Sequence, residues 1–211
     1  MSLSSSLSSI RRWRRPRAAR RYPDPLTAHQ LWMVSLSAPV SRDRSASRTT
    51  LYPFTRIDDD SARSWLAEQW EITSRTELTD RLDGLSRSGY RARAQQLLGV
   101  SPLAWDAALY ADIARLGFGC GMVTEAEAWT ALKNIVPAVV GTYASWQEYA
   151  DHYLLGRTVW RDGLRGTQDA AFPASQSTAD AHLRALLDPA NRASPWNLAP
   201  WDTISHPDRP R

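Results

Sequence analysis

Arg157 stands in the apolar run Tyr153-Leu154-Leu155-Gly156-Arg157-Thr158-Val159-Trp160. A guanidinium buried there needs a carboxylate, because burial of an unpaired charge costs several kcal/mol. Asp106 is the expected partner. The other use of such a planar fork is to clamp an anionic ligand. Asp106, Asp112 and Glu125 are carboxylates not consumed by helix starts, so acid/base chemistry would draw on them. An enzyme built this way would line a cleft with Trp105, Trp129 and Trp160, use Arg157 as the anion clamp and take Asp106 or Glu125 as acid or base. The chain also has ten tryptophans against three phenylalanines. Indole suits places where one edge is apolar and the other polar, so these side chains line either a core or a contact surface. Trp105, Trp129, Trp146, Tyr153, Arg157 and Trp160 are therefore the candidates for contact with another protein, since interfaces favour Trp, Tyr and Arg.

Other constellations carry less. Gly117-Phe118-Gly119-Cys120-Gly121 follows a helical pattern, whereas a phosphate-binding glycine loop needs a preceding strand, so it reads as a helix–helix connection. Cys120 is the single cysteine, which excludes a disulfide framework and a multi-cysteine zinc site. As a nucleophile it would need a base and a lowered pKa that no neighbouring residue supplies. His29, His152, His182 and His206 never stand at the i, i+4 spacing of helical metal ligands. His152, between Asp151 and Tyr153, is the most interesting of them but is expected to be an exposed or supporting histidine, not a catalytic one. No metal and no cofactor is expected.

The elements that must position these residues are helical throughout, giving an all-α, compact multi-helix domain of about six or seven helices. A first helix is expected over 26–37, ended by Pro39, followed by a Ser/Arg-rich connection over 39–57. Asp58, Asp59 and Asp60 complement the positive end of a second helix that runs through Trp65, Leu66 and Trp70. Three further starts carry capping boxes, Ser74/Glu77, Thr124/Glu127 and Ser145/Glu148. The first opens a helix with Leu78, Leu82 and Leu85 on one face, stopped near Gly89. Pro102 opens a helix with the stripe Trp105, Leu109, Ile113 and Leu116, ended by Gly117, Gly119 and Gly121. The helix from Thr124 buries Trp129, Leu132, Ile135 and Val136, and Pro137 should kink or end it. The helix from Ser145 places Trp146, Tyr149, Tyr153, Gly156 and Trp160 on one face, and a last short helix starts near Thr178 with Leu183, Leu186 and Leu187. The Pro-containing C-terminus is expected to be extended and to pack through Trp196 and Trp201.

Charge is uneven along the 211 residues. Residues 1–48 hold ten arginines against Asp24 and Asp43, a net +8, while the remainder is net −4. Seven of those arginines fall between Arg11 and Arg21, after a Ser-rich start. Such a segment has too little to bury to offset its ordering entropy, so 1–25 is expected to be a disordered tail, 26–205 a single helical domain and 206–211 a flexible end. Nucleic acid or an anionic surface could be met only through the Arg11–Arg21 tail, because the domain lacks a clustered basic face. No run of apolar residues reaches the 18 that suggest a transmembrane span, and no apolar segment follows the arginines as a secretory signal requires. One lysine against 25 arginines hints at a GC-rich bacterial source, and the cytoplasm is the expected location.

Several segments taken together resemble the bacterial domain-of-unknown-function 1266 family. They are Ala104-Trp105-Asp106, Ala114-Arg115-Leu116-Gly117-Phe118, Gly121-Met122-Val123-Thr124-Glu125-Ala126-Glu127-Ala128-Trp129, Ser145-Trp146-Gln147-Glu148-Tyr149 and Tyr153-Leu154-Leu155-Gly156-Arg157, with Ser194-Pro195-Trp196 and Pro200-Trp201 at the close. The resemblance extends over roughly 31–203. It implies a compact helical bacterial domain with Asp106, Glu125, Trp129, Trp146, Arg157 and Trp160 at motif positions, and it supplies no activity or cofactor. Two positions depart from the family pattern. Tyr90 stands in Gly89-Tyr90-Arg91 where the family tends to have His, and Leu109 stands where it often has Arg. The expected function is a non-catalytic protein-interaction module, an adaptor or immunity-type factor, with the enzyme above as the alternative.

Overall fold

The computed structural model describes residues 25–43, 47–52, 59–163 and 175–206. The expected tail over 1–24, Asp58 of the acidic run and the end beyond 206 lie outside the described residues. Among the described residues every regular element is helical: α1 (Ala28–Ser35), α2 (Ala38–Asp43), α3 (Asp59–Trp70), α4 (Arg75–Arg87), α5 (Arg91–Leu98), α6 (Leu103–Gly119), α7 (Glu125–Thr142), α8 (Trp146–Gly163), α9 (Gln176–Leu187), α10 (Pro195–Leu198) and a 3₁₀ turn (Trp201–Ser205).

α6 is the axis of the molecule. It packs against α2, α3, α4, α5, α7 and α8, and sixteen of its seventeen residues are buried. A helix enclosed on every side must be apolar all round or carry satisfied polar groups. Beside the large stripe Trp105, Leu109, Ile113 and Leu116, α6 fills its other faces with Ala104, Ala107, Ala108, Ala111 and Ala114, whose small side chains let neighbouring helices come close. Two glycines mark the tightest approaches. A Cβ on Gly117 would fall 2.5 Å from Leu78 Cδ2 of α4, and one on Gly156 of α8 would fall 2.5 Å from Trp105 Cβ.

The capping boxes form as spaced at Ser74/Glu77 and Thr124/Glu127, each with both reciprocal bonds. At α8 the Ser145 hydroxyl accepts from Glu148 N, while the Glu148 carboxylate reaches one residue further back, to Ala144 N at 2.7 Å. α1 has a box of the same kind, Thr27 with Gln30.

Four expectations are corrected. Pro39 does not end the chain's first helical stretch. It is the second residue of α2, where a missing N–H is harmless because the first N–H groups have no intrahelical partner. Pro137 does not end α7: it lies inside the helix at an exposed position, and the helix continues to Thr142. Gly117 does not end α6 but lies inside it; Gly119 is its last residue, and Gly121, with φ of 78°, makes the turn that follows, as expected. The C-terminus is not extended but forms α10 and the 3₁₀ turn. It is pinned by three indole N–H groups: Trp32 donates to Trp201 O, Trp146 to Ala199 O and Trp196 to Ser35 O, at 3.0–3.1 Å. Trp146 and Trp196 stack with centroids 5.0 Å apart, so packing through Trp196 and Trp201 is observed.

Candidate functional site

Asp106 enters the core from the first turn of α6, and its side chain is 1% exposed. Its carboxylate is fully engaged by the turn that leads into α5. Oδ1 accepts from Tyr90 N at 2.9 Å, and Oδ2 accepts from Arg91 N at 3.1 Å and from Arg91 Nη1 at 2.9 Å. The N-cap of α5, Tyr90, makes no side-chain cap of its own, so a carboxylate from another helix caps it. Arg91 completes the arrangement in the other direction, donating to Leu85 O at 2.6 Å and Ser86 O at 2.7 Å in the last turn of α4. One ion pair therefore ties the end of α4 and the start of α5 to α6. Gly89 is required here twice over. Its φ is +55°, and a Cβ would lie 2.0 Å from Asp106 Oδ2. Burial pushes the Asp106 carboxyl above the ordinary carboxylate range, and the two amides and the Arg91 guanidinium pull it back only part of the way.

The expected pairing of Asp106 with Arg157 is thus corrected. Arg157 is buried in α8 and its Nη1 donates to Gln176 Oε1 of α9 at 2.7 Å. The periodicity correctly marks Arg157 as buried but cannot say which polar group meets it. Glu125 lies exposed in the first turn of α7, where its carboxylate accepts from Trp129 Nε1 at 3.2 Å. The three residues proposed for acid/base work and anion binding each serve a different local contact.

The aromatic candidates divide similarly. Trp105, Tyr153 and Trp160 come together, with centroids 5.2 Å (Trp105–Tyr153) and 5.6 Å (Trp105–Trp160) apart. Trp70 and Tyr90 extend the cluster from Trp160, at 6.5 and 6.2 Å. Trp146 belongs to the separate cluster under the C-terminal segment. Trp105, Trp129, Trp146, Tyr153 and Arg157 are buried and only Trp160 is partly exposed. Five of these side chains are core residues, and Trp160 packs against the core while keeping partial exposure.

Three features escaped the reading of candidate residues. The first is a groove of about 500 Å³ between the end of α3 and α4, lined by Trp70, Glu71, Arg81, Leu85, Gly89 and Tyr90 among others. Tyr90 stacks edge-on to Trp160 in its wall and accepts from Arg81 Nη1 at 3.3 Å, while Arg81 Nη2 donates to Trp70 O at 3.2 Å. Tyr90 therefore lines the groove, whereas Leu109, the other position expected to depart from the family pattern, is fully buried in α6. The second is Arg115, buried in α6. Its Nε donates to Leu51 O, its Nη1 to the Ser37 and Ser41 hydroxyls and its Nη2 to Ser47 O and Thr50 O. All five donors are used, and the guanidinium holds α2 and the 47–51 segment onto α6. The third is an exposed apolar patch where α5 ends. Leu97, Leu98 and Val100 are 61%, 52% and 39% exposed, and α5 buries only Ala94. The run 95–98, Gln-Gln-Leu-Leu, without apolar periodicity beneath it, is the sequence signal that could have shown it.

Fold and site together define an all-helical arrangement of the described residues in which buried Asp106, Arg115 and Arg157 bond to neighbouring elements. The chain belongs to the family described as a protein of unknown function (DUF1266), whose model matches residues 91–201. That span is narrower than the expected 31–203 and begins at Arg91 of the latch. No curated protein and no solved structure matches the chain.

Proposed function

We propose that this chain is a non-catalytic protein-interaction module, of the adaptor or immunity-factor kind, which meets its partner through the end of α5. The observation that carries this is the exposure of Leu97, Leu98 and Val100, three apolar side chains close in sequence at the end of α5. Scattered exposed apolar side chains need no explanation, but three within four residues, two closing a thinly packed helix and one just past its cap, give apolar area that water covers at a cost. Support comes also from the fate of the chemical candidates. Asp106 is sequestered with Arg91, and Arg157 bonds to Gln176. No residue from 84 to 105 is acidic, and Arg93 is exposed beside the patch. A partner offering an apolar contact flanked by carboxylates is therefore complementary. A bacterial, cytoplasmic setting is part of the same proposal, supported by the arginine-for-lysine composition and the single cysteine.

The test is cross-linked co-purification of the full chain and of Leu97→Asp/Leu98→Asp from a bacterial host of similar composition. The proposal expects a stoichiometric protein cross-linked to peptides of α5 in the first and at least tenfold less of it in the second, with unchanged thermal unfolding. Cross-links that map elsewhere and survive the double substitution overturn it.

A further inference from the structure

We propose that α5 is a hinged arm, residues 91–98 leaving α6 and α8 as one unit about Gly89 and Gly99 when the Asp106 latch lets go. Four observations place the weak points. Gly89 and Gly99, which flank the helix, both have left-handed backbone, φ +55° and +71°. The helix buries one side chain, Ala94, and its main contacts are with α6 and α8, so little apolar area opposes its release. Its first N–H groups depend on the Asp106 carboxylate in place of a local cap. The ion pair that fastens it, Arg91 Nη1 to Asp106 Oδ2 at 2.9 Å, is the same contact that closes the end of α4. The contact with Asp106 therefore sits at one end of the arm and the apolar side chains Leu97 and Leu98 at the other, beside Gly99.

Opening would withdraw or re-aim those side chains and uncover the α6 and α8 surface beneath Ala94. Its use to regulate partner binding rests on the interaction reading above, whereas the opening itself does not. Hydrogen exchange of the full chain, followed by mass spectrometry, tests it directly. In the wild type, peptides within 91–98 should exchange by local opening at least about 100-fold faster than peptides within 104–117. Asp106→Asn removes the charge and leaves the surrounding donors poorly matched, and should speed exchange in α5 about tenfold or more while changing α6 less than twofold. Gly89→Ala, whose Cβ would collide with the Asp106 carboxylate, should act the same way by another route. Equal exchange of α5 and α6 in the wild type overturns the proposal even if neither variant folds. So does a variant that speeds every helix alike, since that is global unfolding. Loss of the interaction reading, with a partner indifferent to Leu97 and Leu98, would leave this exchange pattern unchanged.

Discussion

At the scale of single residues, buried charge in this protein is spent on geometry. Arg115 illustrates it most fully, because each of its five donors has an oxygen and those oxygens come from α1–α2, the 47–51 segment and nowhere on its own helix. Lysine has three donors on a single nitrogen and cannot reproduce that fork. Arg115→Lys should therefore leave at least two buried acceptors unmatched and lower stability by about 2–4 kcal/mol, at roughly 1–2 kcal/mol per charged hydrogen bond. Urea unfolding checks this, as a lower midpoint with an unchanged slope. An unaltered midpoint would mean that water or the lysine stem replaces the guanidinium. Asp106 shows how far such residues can be read from sequence. Its burial and importance follow from its place in an apolar helix, but its partner does not. Arg91 lies in a segment with no apolar periodicity, whereas Arg157 lies in a conspicuous apolar run, and only the fold brings the first and not the second to the carboxylate.

At the scale of elements, the helices with local signals were legible and those without them were not. α4 and α7 announce themselves by capping boxes, and α3 by its acidic start. α5 has no cap of its own, buries one alanine and starts on a carboxylate from α6, so only the helix-forming residues of its run and Gly99 at its end mark it, without capping or apolar periodicity. α2 and α10 are short and begin around prolines that read equally well as breaks. The boxes also set an acid dependence. Glu127 accepts from Thr124 and from Arg75 of α4 at 2.6 Å, contacts that hold its carboxyl down to about 2 from 4.5. Glu77 is lowered as well, by Thr73 and Ser74. A carboxylate lowered in the folded state contributes stability above its unfolded pKa, and that contribution is lost as pH falls from 4.5 toward 2. Both groups are exposed, so each contributes modestly. Thermal unfolding followed from pH 6 to pH 3 should show a falling midpoint, and Glu127→Gln should be less stable at pH 6 and fall less steeply. A parallel shift of the curve would assign the acid sensitivity to other carboxylates.

At the scale of the whole molecule, the segments that carry the family resemblance converge on α6. Trp105 meets Gly156, Gly117 meets Leu78, Arg115 gathers α2, and Asp106 latches α5. The described elements enclose one helix, and the motif residues are what enclosure demands: glycine where helices touch, guanidinium and carboxylate where backbone ends must be satisfied. In the sequence, burial among apolar neighbours marks structural and catalytic charges alike, and only their partners separate the two. Among the described residues the most exposed large apolar side chains, Leu97 and Leu98, close a lightly held helix, and association with another protein is the central claim proposed from them. Native mass spectrometry of the full-length chain, purified gently from a bacterial host of similar composition, tests it most directly. The account predicts a stoichiometric protein complex that dissociates when Leu97 and Leu98 are replaced by Asp. A bare chain carrying a bound small molecule, or a complex indifferent to those replacements, would contradict it.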